Sequence, residues 1–169
     1  MPNTNVFTGA DGTITLAGPQ TEEGQKAQEI IDTYQLTPIG RASNVQVEVT
    51  TDIRPFHELG QRFASELRSG NVNVRGTIGR AYINGALLKL LMGDAATPGT
   101  ELSASLIQPS FNITLLLENP AIPGARSTVT IQDVKFENWT YAIPEDDFVL
   151  ESVKFKARML TVVDEEPTA

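Results

Sequence analysis

His57 is the only imidazole in the chain, and Glu58 stands beside it. A His-Glu pair could serve acid–base chemistry or form part of a zinc site. Zinc takes three or four ligands, mostly His and Cys, and this chain has one His and no Cys. A relay of Ser, His and Asp built on His57 would need an activated serine. No Ser sits in a Gly-x-Ser-x-Gly elbow. The run Glu145-Asp146-Asp147 offers oxygen ligands for a divalent cation, but its spacing is not that of an EF-hand loop; it reads as a solvated turn. Gly76-Thr77-Ile78-Gly79 lacks the Lys and the following helix of a phosphate loop. Its glycines answer a backbone need instead. Asn138-Trp139-Thr140 has the form of a glycosylation acceptor. The start Met1-Pro2-Asn3-Thr4-Asn5 has neither the basic nor the apolar region of an export signal, so no export and no glycosylation are expected. The residues therefore imply no enzyme, no metal and no cofactor.

Charge narrows the partners. The 169 residues carry 13 Lys and Arg against 21 Asp and Glu, a net charge of −8. Such a chain repels phosphate backbones, which disfavours tight nucleic-acid binding. Lys154, Lys156 and Arg158 alternate on one face of an expected strand, where solvation or pairing with carboxylates accounts for them. Hydrophobic content of 40% and charged content of 20% suit a folded protein. No apolar run approaches the roughly 20 residues that cross a bilayer as a helix, and no membrane binding is expected.

The elements that must position these residues are mostly strands. Gly and Pro recur at short intervals with alternating runs between them. In 44–53, Val45, Val47 and Val49 face one way, and Gln46, Glu48 and Thr50 the other, as in a strand with one buried face. Residues 71–83 read the same way, with Gly76 and Gly79 marking a bulge or a close backbone approach. Between them, 54–70 fits two readings. Phe56, Leu59, Phe63 and Leu67 recur at helical spacing after Pro55, yet Gly60 weakens a helix, and a strand, loop and return fits equally. Residues 86–92 form the clearest helix, with Asn84 as cap and Gly93 as stop. Further strands are expected over 102–107, 111–117, 127–139 and 148–163, with a bulge where the apolar parity shifts between Ile131 and Val134. Residues 17–41 read as a polar arm or loop, with a possible short helix over 22–34. Residues 164–169 read as a mobile acidic tail. Nothing marks a linker or repeat, so residues 1–169 are expected to form one domain.

Three groups of residues resemble a known family. One is Gly9-Ala10-Asp11-Gly12-Thr13-Ile14-Thr15-Leu16. The second is Arg54-Pro55-Phe56-His57-Glu58-Leu59-Gly60-Gln61-Arg62, followed by the glycine-marked strand from Gly70 through Gly76 and Gly79 to Gly85. The third is Val134-Lys135-Phe136-Glu137-Asn138-Trp139, with Pro144-Glu145-Asp146-Asp147-Phe148-Val149 and Phe155-Lys156-Ala157. Together they resemble the tail tube proteins of tailed viruses, whose fold recurs in the tubes of contractile injection machines. The resemblance covers most of the chain and is weakest over 17–41.

It implies a mainly β fold: a β-sandwich or partly closed barrel with one short helix. The strands would join a larger inner β-barrel in a hexameric ring. Rings would stack into a tail tube, the conduit for genome DNA during ejection, and the protein would sit in the virion tail after assembly in the host cytoplasm. The implied partners are further copies of the chain, the tape-measure protein, viral DNA in transit, and baseplate and tail terminator proteins. A sheath protein joins them where the tail contracts. On this reading Gln46, Glu48, Thr50, Asn71, Asn73 and Arg75 would face the lumen. Glu48 would lead a net-negative wall that repels DNA, and Arg75 would pair with it or with a neighbour. Leu87, Leu88, Leu91, Trp139 and Phe148 would serve subunit or ring interfaces, and the 17–41 arm and the tail would contact the next ring. The alternative is a β-sandwich baseplate or capsid-decoration protein that forms no tube.

Overall fold

The computed structural model describes residues 6–39, 42–101 and 106–166. Its strands are β1 (Gly12–Ala17), β2 (Ala42–Phe56), β3 (Glu66–Ala81), β4 (Phe111–Glu118), β5 (Arg126–Ala142), β6 (Leu150–Ala157) and β7 (Met159–Glu165). Its α-helices are α1 (Glu22–Tyr34) and α2 (Ala86–Met92). All pairings between these strands are antiparallel.

The long strand β5 joins two layers. Its first half, through Gln132, lies between β4 and β7, and β1 pairs the far side of β4. Its second half, from Lys135, pairs β6, which is followed by β3 and then β2. The strands do not close on themselves: β1 and β2 are the ends of the series. The turn between layers comes at the bulge that the parity shift marks. Phe111 faces Val134 while Ile113 faces Ile131, and Asp133 takes a φ of 54°. The Asn112 side chain accepts the Asp133 N–H at 3.1 Å, which holds the bulge in place.

Both layers turn their apolar faces to one core. Leu16, Ile113 and Ile131 come from the first layer; Val74, Ile78, Phe136, Val153 and Phe155 come from the second. Gly76 makes one contact possible. A Cβ there would run into the Gln46 carbonyl of β2 and the Phe155 ring of β6, so the missing side chain lets Phe155 lie across β3.

The helices complete the core, and two α-helices are present among the described residues where the resemblance implies one. The stretch 22–34, left between arm and helix, is a docked helix. The Thr21 hydroxyl accepts the Gly24 N–H at 3.0 Å, Glu22 and Glu23 occupy the first turn, and Ala27 and Ile31 are fully buried. On either side, the Leu16 N–H donates to Thr37 and the Ile39 N–H to Ile14. Most of the expected arm is thus part of the body, because burying one face of the helix outweighs its polar composition. In α2, Ala86, Leu87 and Leu90 are buried. The cap is shared: Gly85 precedes the helix, while the Asn84 side-chain Oδ1 accepts the Ala86 N–H at 3.1 Å. Lys89, the one charge on α2, lies over the Tyr34 ring of α1 at 5.6 Å.

Three expectations change. The single strand expected over 148–163 is two, broken at Arg158, with β6 in the second layer and β7 in the first. Residues 164 and 165, expected in the tail, end β7; residues 167–169 lie outside the described residues. Of the strand expected over 102–107, residues 102–105 also lie outside them, and 106 and 107 are not in a strand.

Candidate functional site

The second layer, β5-β6-β3-β2, carries the residues that the sequence singles out. Antiparallel partners share a face. Glu48 lies opposite Arg75, Thr50 opposite Asn73 and Gln46 opposite Thr77. Gln46, Glu48, Thr50, Asn73 and Arg75 therefore do lie together on one exposed face. Asn71 does not join their ladder. The register shifts between Thr51 and Ile53, leaving Gly70 and Asn71 in a bulge of β3.

The face continues across β6 and β5, where Arg75 neighbours Lys156, and Thr77 neighbours Lys154. The Arg75 guanidinium donates to Glu48 at 2.9 and 3.3 Å, and the Thr50 hydroxyl adds a bond of 3.1 Å. Lys156 pairs with Glu137 at 3.3 Å. Lys154 has no ion-pair partner among the described residues. Arg75, Lys135, Lys154 and Lys156 thus stand against Glu48 and Glu137, with Lys135, opposite Lys156, reaching Glu23 of α1 at 2.9 Å, and the face carries a cationic excess. The net-negative wall implied by the resemblance is not built here from this chain's side chains. Acidic residues gather elsewhere, notably in the turn between β5 and β6.

Hydrogen bonds from Arg75, then from Thr50, hold the Glu48 carboxyl below its ordinary range. Because the folded value is depressed, the pairing is present above the ordinary glutamate range and lost as pH falls through the lowered value. Titration followed by NMR should find Glu48 protonating below the ordinary glutamate range on acidification, and Arg75→Gln should return it most of the way to that range. A Glu48 that titrates in the ordinary glutamate range in the unaltered protein would show that the pair does not form in solution.

The opposite face of the layer is apolar and outruns its cover. Val45 and Val47 are half-buried, and Val74 and Ile78 are buried. Farther along, the ladder runs on to Phe56 opposite Glu66, so 54–70 is extended, with a loop at 57–65 and a positive φ at Gly60. Its apolar residues Ile53, Phe56, Leu59, Phe63, Leu67 and Val72 are exposed. At the tip, Phe63 retains 87% of its accessible surface. This arm is the feature that residue spacing alone leaves undecided.

The other end of the same layer bears a second group. The Tyr82 N–H donates to Val149 at 2.9 Å, and Tyr82 stacks on Tyr141 at 5.4 Å. Trp139 tilts against Tyr141 at 4.6 Å. Phe148 and Ile143, in or beside the turn, are 81% and 74% exposed. Beneath them Arg80 and Glu151, both buried, form an ion pair of 2.5 Å. The second Glu151 oxygen accepts the Trp139 indole N–H at 2.9 Å, and Arg80 also donates to Asn84.

The expected interface set is accordingly dispersed. Leu87 lies wholly in this chain's core, Leu88 and Leu91 are half-buried on α2, and Trp139 is half-buried and bound to Glu151. Phe148 is free to meet a partner. Between the layers, an apolar cleft of about 580 Å³ is lined by Ile14, Val45, Val47, Leu115, Leu117 and Val129, and no ionisable side chain among the described residues lines it. His57 is exposed on the arm.

No family model and no curated protein matches the sequence. Solved structures do match. A chain of the extended sheath–tube complex of the PVC extracellular contractile injection system aligns with a TM-score of 0.62 at 10% identity. The alignment covers 95% of this chain and 93% of that one. The SPP1 tail tube aligns at 0.55 and 10% identity, over 96% of this chain and 81% of that one. The fold is that of a tail tube protein. A chain from the virion of a native gene transfer agent particle also aligns, at 0.54 and 12% identity, over 97% of this chain and all of that one.

Proposed function

We propose that this chain is the structural subunit of a tail tube. The observation that carries the reading is the second layer's pair of open edges. Among the described residues, β2 pairs as a strand only with β3, and residues 135–142 of β5 pair as a strand only with β6, with the Gln108 side chain covering the Phe136 carbonyl at 2.8 Å. Long free edges invite pairing with another chain. Joining the β2 edge of one copy to the β5 edge of the next is a heterologous contact, and when its rotation closes it makes a ring. A hexameric ring closed this way forms an inner barrel with no edges left.

The wet face carrying Glu48 and Arg75 would line that barrel. Three of its four cations, Arg75, Lys135 and Lys156, are paired with carboxylates, which suits a conduit, since a polyanion would meet no continuous row of free cations to hold it. In this reading the passengers are DNA and the tape-measure protein, and baseplate and terminator proteins bind the ends. The tube belongs to a virion tail assembled in the host cytoplasm, and the subunit has no catalytic role. A sheath would surround it in a contractile tail.

Light scattering and electron microscopy of the purified protein test this. Hexameric rings or tubes are expected as concentration rises. Monodisperse monomer at every concentration and ionic strength would reject the tube and favour a decoration or baseplate protein.

A further inference from the structure

Asn84 is followed by glycine, and no other asparagine in the chain is. The other eight precede Thr, Val, Ile, Pro or Trp. The backbone nitrogen of the next residue can attack an asparagine side-chain amide. A bulky side chain or a proline ring at that residue hinders the approach, and glycine does not.

The link between β3 and α2 sets this pair up for the reaction. The Asn84 Oδ1 accepts two bonds, from the Arg80 guanidinium at 3.3 Å and from the Ala86 N–H at 3.1 Å. The second bond reaches two residues along the chain and lays the side chain back over the Gly85 peptide. The first comes from a cation that is 1% exposed. Both donors meet the oxygen that turns negative when the amide carbon is attacked, the arrangement that stabilises an oxyanion. Gly85 stands clear, since a Cβ there would have no neighbour within 4 Å. Asn84 and Gly85 are half-buried, so water and hydroxide reach them.

We infer that Asn84 is a self-modifying site, converted to aspartate through a cyclic imide with Gly85. Hydroxide takes the Gly85 N–H proton, and the nitrogen lone pair forms a bond to Asn84 Cγ. The carbonyl electrons move to Oδ1, where Arg80 and Ala86 hold it. When they return, the Cγ–Nδ2 bond breaks. Nδ2 takes a proton from water and leaves as ammonia, which restores the hydroxide. Water then opens the imide. Opening at Cγ gives aspartate, and opening at the backbone carbonyl carbon gives the isoaspartyl linkage. The sum is amide plus water to carboxylate plus ammonia, with no oxidation or reduction.

The product suits its place. A carboxylate beside Arg80 sets charge against charge where the amide offers only a dipole. Arg80 then serves two carboxylates, the new one and Glu151. Neither Asn84 nor Gly85 belongs to the open edges of β2 and β5, so the inference does not depend on the tube reading.

Trypsin, cutting after Arg80 and Lys89, releases Asn84 on a short peptide, and mass spectrometry reads the exchange of NH for O directly. Folded protein held at mildly alkaline pH should make this exchange about tenfold faster than a synthetic peptide of residues 81–89. Arg80→Met with Glu151→Leu removes the cation and should bring the rate down to that of the peptide. Gly85→Ala, which the open space admits, should slow the folded protein by about tenfold or more. Three results overturn the proposal. One is folded wild-type protein that reacts no faster than the peptide, as it would if the bond to Ala86 shielded the amide. The others are a double variant as fast as the wild type, and exchange undiminished in Gly85→Ala. The comparison of wild type with peptide holds whatever the stability of the variants.

Discussion

Glu151→Ala should destabilise the protomer by about 3–5 kcal/mol, the cost of breaking a buried ion pair and leaving one charge without its partner. Arg80 is 1% exposed, and the Glu151 side chain is wholly buried. Alanine would strand the guanidinium with only Asn84 as a side-chain acceptor and would free the Trp139 indole N–H. Out of a typical domain stability of about 5–15 kcal/mol, this is a large share. The chain has a single Trp, so fluorescence in urea reports on the same site. At protein concentrations too low for assembly, the midpoint should fall with the slope unchanged. Replacing both members, Arg80→Met with Glu151→Leu, should recover most of the loss, because apolar side chains of similar volume need no countercharge. A loss under about 1 kcal/mol for Glu151→Ala would show that water reaches the pair.

Phe136→Ala should cost a similar amount, about 3–5 kcal/mol, for a different reason. Phe136 is fully buried where β5 passes from one layer to the other. Its ring meets Phe111 edge to face, with centroids 4.8 Å apart. Across the strand pair it lies opposite Phe155. Alanine removes the transfer energy of the ring, opens a cavity among three strands, and loses an aromatic pair worth about 0.5–1.5 kcal/mol. Phe136→Leu should lose clearly less, since much of the volume remains. Equal losses for Ala and Leu would mean that the site collapses around either residue and that the cavity does not set the cost.

Particular residues show why some of this fold could be read without coordinates. The alternation of Val45, Val47 and Val49 with Gln46, Glu48 and Thr50 assigns each to a face, and the structure keeps that division. The parity shift after Ile131 places a bulge, and Asp133 occupies it. The glycines at 76 and 79 announce a close approach, and both positions have a neighbour where a side chain would stand. These features are local: side-chain direction follows from strand period, and a missing Cβ marks crowding whatever crowds it.

Other features depend on remote partners. Phe56, Leu59, Phe63 and Leu67 satisfy a helical period, but β2 and β3 are already paired within the body, and the ladder extends outward through them. Leu87 and Phe148 both read as apolar interface candidates. The tertiary structure sends one into the core and leaves the other at the end of a layer.

By itself, then, the sequence determined strand periodicity, the two faces of the 44–53 segment, the bulge near Asp133, the helix over 86–92 and the lack of Cys and of a second His. Periodicity and composition are complete within a short window of chain. Only the tertiary structure decided that β3 lies between β2 and β6, that 54–70 is an arm, that 22–34 belongs to the core, and that Arg80 meets Glu151 across 71 positions. Those outcomes depend on which distant surfaces cover one another, and burial of apolar area and neutralisation of a buried charge act on contacts that no local window contains.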